Sequence, residues 1–243
     1  MLIRLLGGGL LLLLAACDTE TGPPETPLVL EARYRLSYND TLVGTALFDL
    51  EIDSDGTYRL SAFTVPAGQM HREGEHEVLE SSRGRLFADA IHPTAFERSV
   101  MQDGQYALGS LTFDWDKRTL TAVGPNGSRV LGLPPDAHDR LSYLLAAGRL
   151  AAAGKGGMLI RVASLQASEE TQLQVDGSES IEIPFGRFDA VSIRRTGADP
   201  NDDRRLWYAP SDLPLPLRIS QVRDGNSVDM QLEDISRRSN DPR

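Results

Sequence analysis

One run constrains this chain more than any other. Asp136 to Gly154, DAHDRLSYLLAAGRLAAAG, is the single long stretch after the N-terminal leader that reads as helix, and the segments on either side of it read as strands. Pro134-Pro135 precede it, Asp136 is placed to cap the free amides of a first turn, and Asp139 adds a second carboxylate there. Gly154 sits where a helix commonly stops. Leu141, Leu144 and Leu145 share one side at helical spacing, with Tyr143 and Arg149 turned elsewhere. A solitary helix with an apolar stripe must bury it against a sheet. The spacing therefore predicts a helix over 136–153 that covers or plugs a bent β-structure.

The flanking segments change to period two. Ala32, Tyr34, Leu36 and Tyr38 alternate with Arg33, Arg35 and Ser37; beyond Asn39-Asp40, Ala46, Phe48, Leu50 and Ile52 lie opposite Asp49 and Glu51. Pairs at Asp55-Gly56, Asp103-Gly104, Asn126-Gly127, Asp176-Gly177 and Asp224-Gly225 each fall between alternating segments. Both residues of such a pair tolerate the positive φ that tight hairpins require. These signals predict a mainly β fold, an antiparallel meander with one central helix. No change in composition divides residues 29–236, which read as a single domain, and residues 237–243 read as a frayed tail.

The first 16 residues, MLIRLLGGGLLLLLAA, have the layout of a secretory signal: Arg4, an apolar run, then small residues. Leu14-Ala15-Ala16-Cys17 resembles the lipobox of bacterial lipoproteins, in which the cysteine is lipidated and becomes the first mature residue. Cys17 is the only cysteine of the chain, so no internal disulfide can form and the domain must be stabilised by its core. Residues 17–28 then read as the lipidated cysteine and a flexible tether rich in Pro, Thr and Glu. Removing Arg4 with the leader takes the formal charge from −10 to −11, which argues against nucleic acid and anionic lipid surfaces as direct partners. The expected location is the periplasmic side of a bacterial envelope. Asp18 fits the sorting rule for inner-membrane retention in enterobacteria, and the outer membrane is the alternative.

Candidate chemistry is sparse. His138, Asp139 and Ser142 lie within one turn of each other, yet no Gly-x-Ser-x-Gly elbow frames a nucleophile, so a hydrolase is the weakest of three readings. His71 and His76 would face opposite sides of a strand, and His92 and His138 have no ligand-like neighbours. Asp53-x-Asp55-Gly56 and the acidic loop Asp199 to Asp203 lack the glutamate of a calcium loop. Neither a metal nor a cofactor is expected.

Several short motifs occur in order along the domain: Gly44, Ser81-Ser82-Arg83-Gly84, Phe113-Asp114-Trp115, Asp139-x-Leu141-Ser142, Gly177-x-Glu179, Pro184-x-Gly186-x-Phe188, and Trp207-x-Ala209-Pro210 before Leu215-Pro216. Together they resemble the bacterial envelope family known as domain of unknown function 3108. The family has no assigned activity, so the resemblance implies an architecture and a compartment. The implied shape is similar to the open β half-barrels of periplasmic lipoprotein carriers, a strongly bent sheet around helical cover. Trp115, Trp207 and Tyr208 are then either core or, with Leu141, Leu144 and Leu145, the lining of a hollow for an acyl chain or another hydrophobic ligand. Arg204 and Arg205 would meet a carboxylate or phosphate at its mouth. The leading expectation is a non-enzymatic lipoprotein that binds a lipid-like molecule; the competing one is an assembly factor that holds envelope protein partners.

Overall fold

The alternating segments pair one after the next into a single sheet. The structure, a computed structural model, describes residues 27–67, 77–102, 105–197, 203–210, 213–223 and 225–238. The leader, Cys17, Asp18, His71, His76, the Asp103-Gly104 turn, Asp224 and most of the acidic loop lie outside the described residues. One arm of the sheet runs through β1 (Leu28–Tyr38), β2 (Thr41–Ile52), β3 (Thr57–Pro66) and β4 (Val78–Leu86). It continues through β5 (Ile91–Gln102), β6 (Gln105–Asp114), β7 (Thr119–Gly124) and β8 (Gly127–Gly132). After β9 (Ala137–His138) and the helix α1 (Ser142–Ala153), the second arm is built from β10 (Gly157–Ala163), β11 (Ser168–Ile183) and β12 (Gly186–Thr196). β13 (Asp203–Tyr208), β14 (Arg218–Arg223) and β15 (Asn226–Arg238) complete it.

The spatial order is β8 through β1, then β15 back to β9, so the first and last strands pair in the middle and the two free edges belong to β8 and β9. Every pairing is antiparallel except β9 with β10, as a meander requires. Alternation converts directly into burial. In β2, Ala46, Phe48, Leu50 and Ile52 are buried while Thr45, Asp49 and Glu51 face solvent. Tight turns supply the connections, with positive φ at Asn39, Asp40, Gly56 and Gly127.

The sheet is open but curled, and α1 lies in the curl. The helix packs on β10, β11, β12 and β13 of one arm and on β5 of the other. Six consecutive residues, Ser142 to Ala147, are buried, as is Ala151. The helix is therefore enclosed along its first turns, and Tyr143 is buried with the leucines, not turned outward as a one-sided stripe implies. At the rim, Leu165 from the β10–β11 turn reaches across to β6. A Cβ on Gly109 would overlap its side chain, and Arg129 of β8 donates to its carbonyl oxygen. Tyr34 and Tyr208 fill the remaining interior and place their hydroxyls on carbonyl oxygens of Pro216 and Leu144, both at 2.8 Å.

Three expectations change. The helix begins at Ser142, not Asp136, because Ala137 and His138 pair with β10 first and Asp136 is held by Arg161. Its start is capped instead by Asp139, whose Oδ1 accepts from the amides of Leu141 and Ser142 at 2.8 Å, while the Ser142 hydroxyl accepts from the Asp139 amide. Ser82 donates to the other Asp139 oxygen at 2.7 Å, tying the cap to the opposite arm. Second, Asp176-Gly177 is not a hairpin. It is a bulge inside the 16-residue β11, and the chain reverses at Pro184-Phe185-Gly186. Third, the domain is slightly longer at both ends, since Leu28 pairs with Ile52 and Arg237 and Arg238 pair with Leu30 and Val29. Ladder pairing orders these residues, which lack any turn or breaker of their own.

Two outcomes follow from this packing. Leu144→Ala removes a buried side chain from the first turn of α1 and is expected to cost about 2–5 kcal/mol in urea unfolding; a cost below about 0.5 kcal/mol would place that face in solvent. His138, on β9, is 5% exposed, and burial lowers its imidazole pKa from 6.5 to about 4. Because the folded value lies below the unfolded one, the stability from this group is present above pH 6.5 and lost as pH falls toward 4. Relative to His138→Phe, the wild type should lose on the order of 2 kcal/mol between about pH 7 and about pH 4.5, read by paired urea melts.

Candidate functional site

At the end of the curl where α1 begins, a cavity of about 460 Å3 opens to solvent. Leu36, Phe48, Ile219 and Met230 from the sheet and Leu141 and Leu144 from the helix give it apolar walls. Its polar side is built by two adjacent strands. In β12, Val191, Ile193 and Arg195 occupy one face, and in β13, Tyr208, Leu206 and Arg204 occupy the same face. The register sets Arg195 directly opposite Arg204, both facing the cavity. Like charges in that position repel unless something between them answers.

The neighbouring pair shows one answer. Arg194 and Arg205 also oppose each other, on the outer face, and Asp176 takes an ion pair from each at 2.9 and 3.3 Å. Inside, the two guanidiniums flank the buried Tyr143, with the Arg195 guanidinium carbon 4.9 Å from its ring centroid. Burial pushes the Tyr143 hydroxyl up, but Arg204 and Arg195 outweigh it and leave the phenol more acidic than an ordinary tyrosine. Glu169 lies 3.8 Å from Arg195, and Gln221 accepts from Arg204 at 2.7 Å. Glu80, which also lines the cavity, sits between Arg98 at 3.2 Å and Arg140 at 3.3 Å. An apolar-walled hollow edged by guanidiniums can take an anion with an apolar body.

Of the residues singled out from the sequence, Leu141, Leu144 and Arg204 line this cavity. The others do not, each for a visible reason. Arg205 follows Arg204 on a strand and must face the other way, where Asp176 holds it. Trp207 does the same, covered outside by Arg218 at 4.9 Å and donating to Glu179. Tyr208 points inward but is consumed by the core, its ring against Gly148 and its hydroxyl on the helix backbone. Leu145 is buried elsewhere on α1, and Trp115 stacks on His92 at 4.0 Å and donates to the carbonyl oxygen of Pro93. Asp139 and Ser142 are engaged in the helix cap and fully buried. Asp55 accepts from the amide and hydroxyl of Thr57, an ordinary turn bond. Among the described residues no three His, Cys, Asp or Glu side chains converge on a point.

The residues that sequence reasoning missed are Tyr143, Arg195, Arg140, Glu80 and Glu169. Arg195 carries a readable signal, since it stands two places beyond Ile193 in phase with buried positions, where an apolar residue is expected.

Comparison with known proteins supports the architecture. A beta-barrel-like protein of domain of unknown function DUF1849 from Brucella abortus aligns over 87% of this chain and 98% of its own, with a TM-score of 0.61 at 10% identity. A candidate exported protein with a YmcC-like fold from Bacteroides fragilis covers 88% of this chain and 97% of its own at 10% identity, with a TM-score of 0.34. A candidate lipoprotein from Parabacteroides distasonis covers the same shares at 11% identity, with a TM-score of 0.32. No curated protein matches the chain. The family described as protein of unknown function (DUF3108) matches residues 33–233, nearly the whole sheet together with α1, and the chain belongs to that family.

Proposed function

We propose that this chain is a non-enzymatic envelope lipoprotein that holds an amphiphile in the cavity at the start of α1. The anionic head, a carboxylate or phosphate, meets Arg195 and Arg204 beside the Tyr143 hydroxyl that they flank, and the apolar tail runs along Leu36, Phe48, Ile219 and Met230. The observation that carries this reading is the cross-strand pair of inward-facing arginines at the edge of an apolar hollow. The volume of about 460 Å3 falls within the roughly 300–1,000 Å3 of small-molecule sites. The signal-like leader and the lipobox at Cys17 support export and a lipid anchor facing the periplasm, at the inner membrane by Asp18 or at the outer one.

A second reading, an assembly factor that grips envelope proteins, has one observation in its favour. Phe63, Leu79 and Leu108 stand exposed on the outer face of β3, β4 and β6, with Leu108 65% accessible. A stoichiometric protein partner bound at that face, combined with indifference to amphiphiles, would favour it.

The arginines discriminate because Arg204 and Arg205 are adjacent yet face opposite sides. Titrating delipidated protein with a fluorescent fatty acid should show saturable binding that Arg204→Gln weakens by about tenfold to a hundredfold, the worth of a charge-assisted hydrogen bond. Arg205→Gln should leave binding unchanged. No uptake by the wild type, or equal loss in both variants, would contradict the proposal.

A further inference from the structure

β8 ends one arm of the sheet, and its outer edge faces solvent along the whole strand. Every residue from Gly127 to Gly132 is exposed. Pairing with β7 fixes which backbone groups are free. Leu133 donates to the carbonyl oxygen of Arg118, and in the same register the residues bonded toward β7 alternate back through Leu131, Arg129 and Gly127. Ser128, Val130 and Gly132 therefore turn their amides and carbonyls outward, and among the described residues nothing receives them. A Cβ on Gly127 or Gly132 would meet nothing within 4 Å, so both ends of the edge are open.

The other edge of the sheet is managed differently. β9 has two residues, Ala137 and His138, both buried, and Pro134-Pro135 lead into it. Short or covered edges, and edges that carry charge or proline, resist pairing with another chain. β8 has no such protection, since its one charge, Arg129, turns inward to the Leu165 carbonyl oxygen. Val130, in phase with Val123 on the outer face, is 64% exposed.

An open edge of this kind accepts an extended strand, and β8 suits its own copy in one register. Antiparallel pairing about a twofold axis, with Val130 opposite Val130, sets Ser128 opposite Gly132 and Arg129 opposite Leu131. The outward groups are then satisfied by about six hydrogen bonds. The neighbouring registers are worse. Sliding one way sets Arg129 opposite Arg129, and sliding the other way brings Pro134, which lacks an amide, opposite Ser128.

We propose that two copies of this chain join through β8, edge to edge about Val130, into one continuous sheet. The contact is one short strand with its flanking side chains, at the small end of protein interfaces, so the dimer is transient and forms at high local concentration. The predicted anchor at Cys17 would confine both copies to one surface and raise that concentration.

The full chain carrying Cys17→Ser, which removes the predicted acylation site, is compared at about 5 μM and about 500 μM, a range that spans weak association. Sedimentation velocity reads the mass and amide hydrogen exchange reads the edge. At the higher concentration the mass should rise toward that of a dimer. The amides of Ser128, Val130 and Gly132 should slow about tenfold when about nine in ten molecules are paired, because only the monomer exchanges there. Those of Arg129 and Leu131, already bonded to β7, should keep their rates. Val130→Pro removes the central outward amide at a position where a free edge tolerates proline, and should stay monomeric. Leu108→Ser, on the outer face of β6 away from the edge, should pair as the wild type does. Four results would overturn the proposal: a wild type monomeric at both concentrations, a dimer that survives Val130→Pro, a dimer lost in Leu108→Ser, or slowing of the edge amides only when another envelope protein is added. The wild-type exchange decides the matter even if Val130→Pro fails to fold.

Discussion

A sheet whose first and last strands pair at its centre has two long arms and two free edges, and its concave face must be buried against something else. α1 is that element. It touches β5 on one arm and β10 to β13 on the other, so the hydrophobic contact of one twelve-residue helix joins halves that no edge-to-edge hydrogen bonds close. Leu165 on Gly109 and Arg129 on the Leu165 carbonyl add a clasp at the rim, but the clasp is a turn on a strand surface, small beside the buried helix.

The polar groups follow from that enclosure. A helix start taken inside a sheet leaves its first amides away from water, and Asp139 with Ser142 satisfies them from within. The carboxyl is raised above its usual pKa by burial, against the pull of its hydrogen bonds from Ser142, Ser82 and Leu141. It also receives Ser82, which in turn bonds Tyr58, so the cap links α1 to β3 and β4 as well. The cavity occupies the space at the end of the helix that side chains from the two arms leave unfilled. Charged groups gather where the solvent begins: Arg195, Arg204 and Arg140 with Glu80 and Glu169.

Much of this was legible in the sequence because the physics is local. Period-two alternation from Ala46 to Ile52, positive φ at Asn39-Asp40 and Gly56, and a left-handed stop at Gly154 each follow from a few neighbouring residues. Asp176-Gly177 misleads because the same backbone freedom serves a bulge as well as a turn, and only the partner strand decides between them. The helix start misleads for a related reason. Asp136 has the right spacing to cap, but Arg161, 25 residues later, takes its carboxylate. In the site, adjacency of Arg204 and Arg205 already implies that only one faces the hollow; which one depends on the pairing of β13 with β12. Tyr143 and Arg195 meet through tertiary packing alone, and no local pattern announces such a contact.

Amide hydrogen exchange along α1 tests the enclosed helix most directly. The amides of Ala146 and Ala147 should exchange only with global unfolding, at the same free energy as the central strands β1 and β15. Exchange of those amides well ahead of β1 and β15 would mean that the helix leaves the curl while the sheet persists, and that the sheet does not need it.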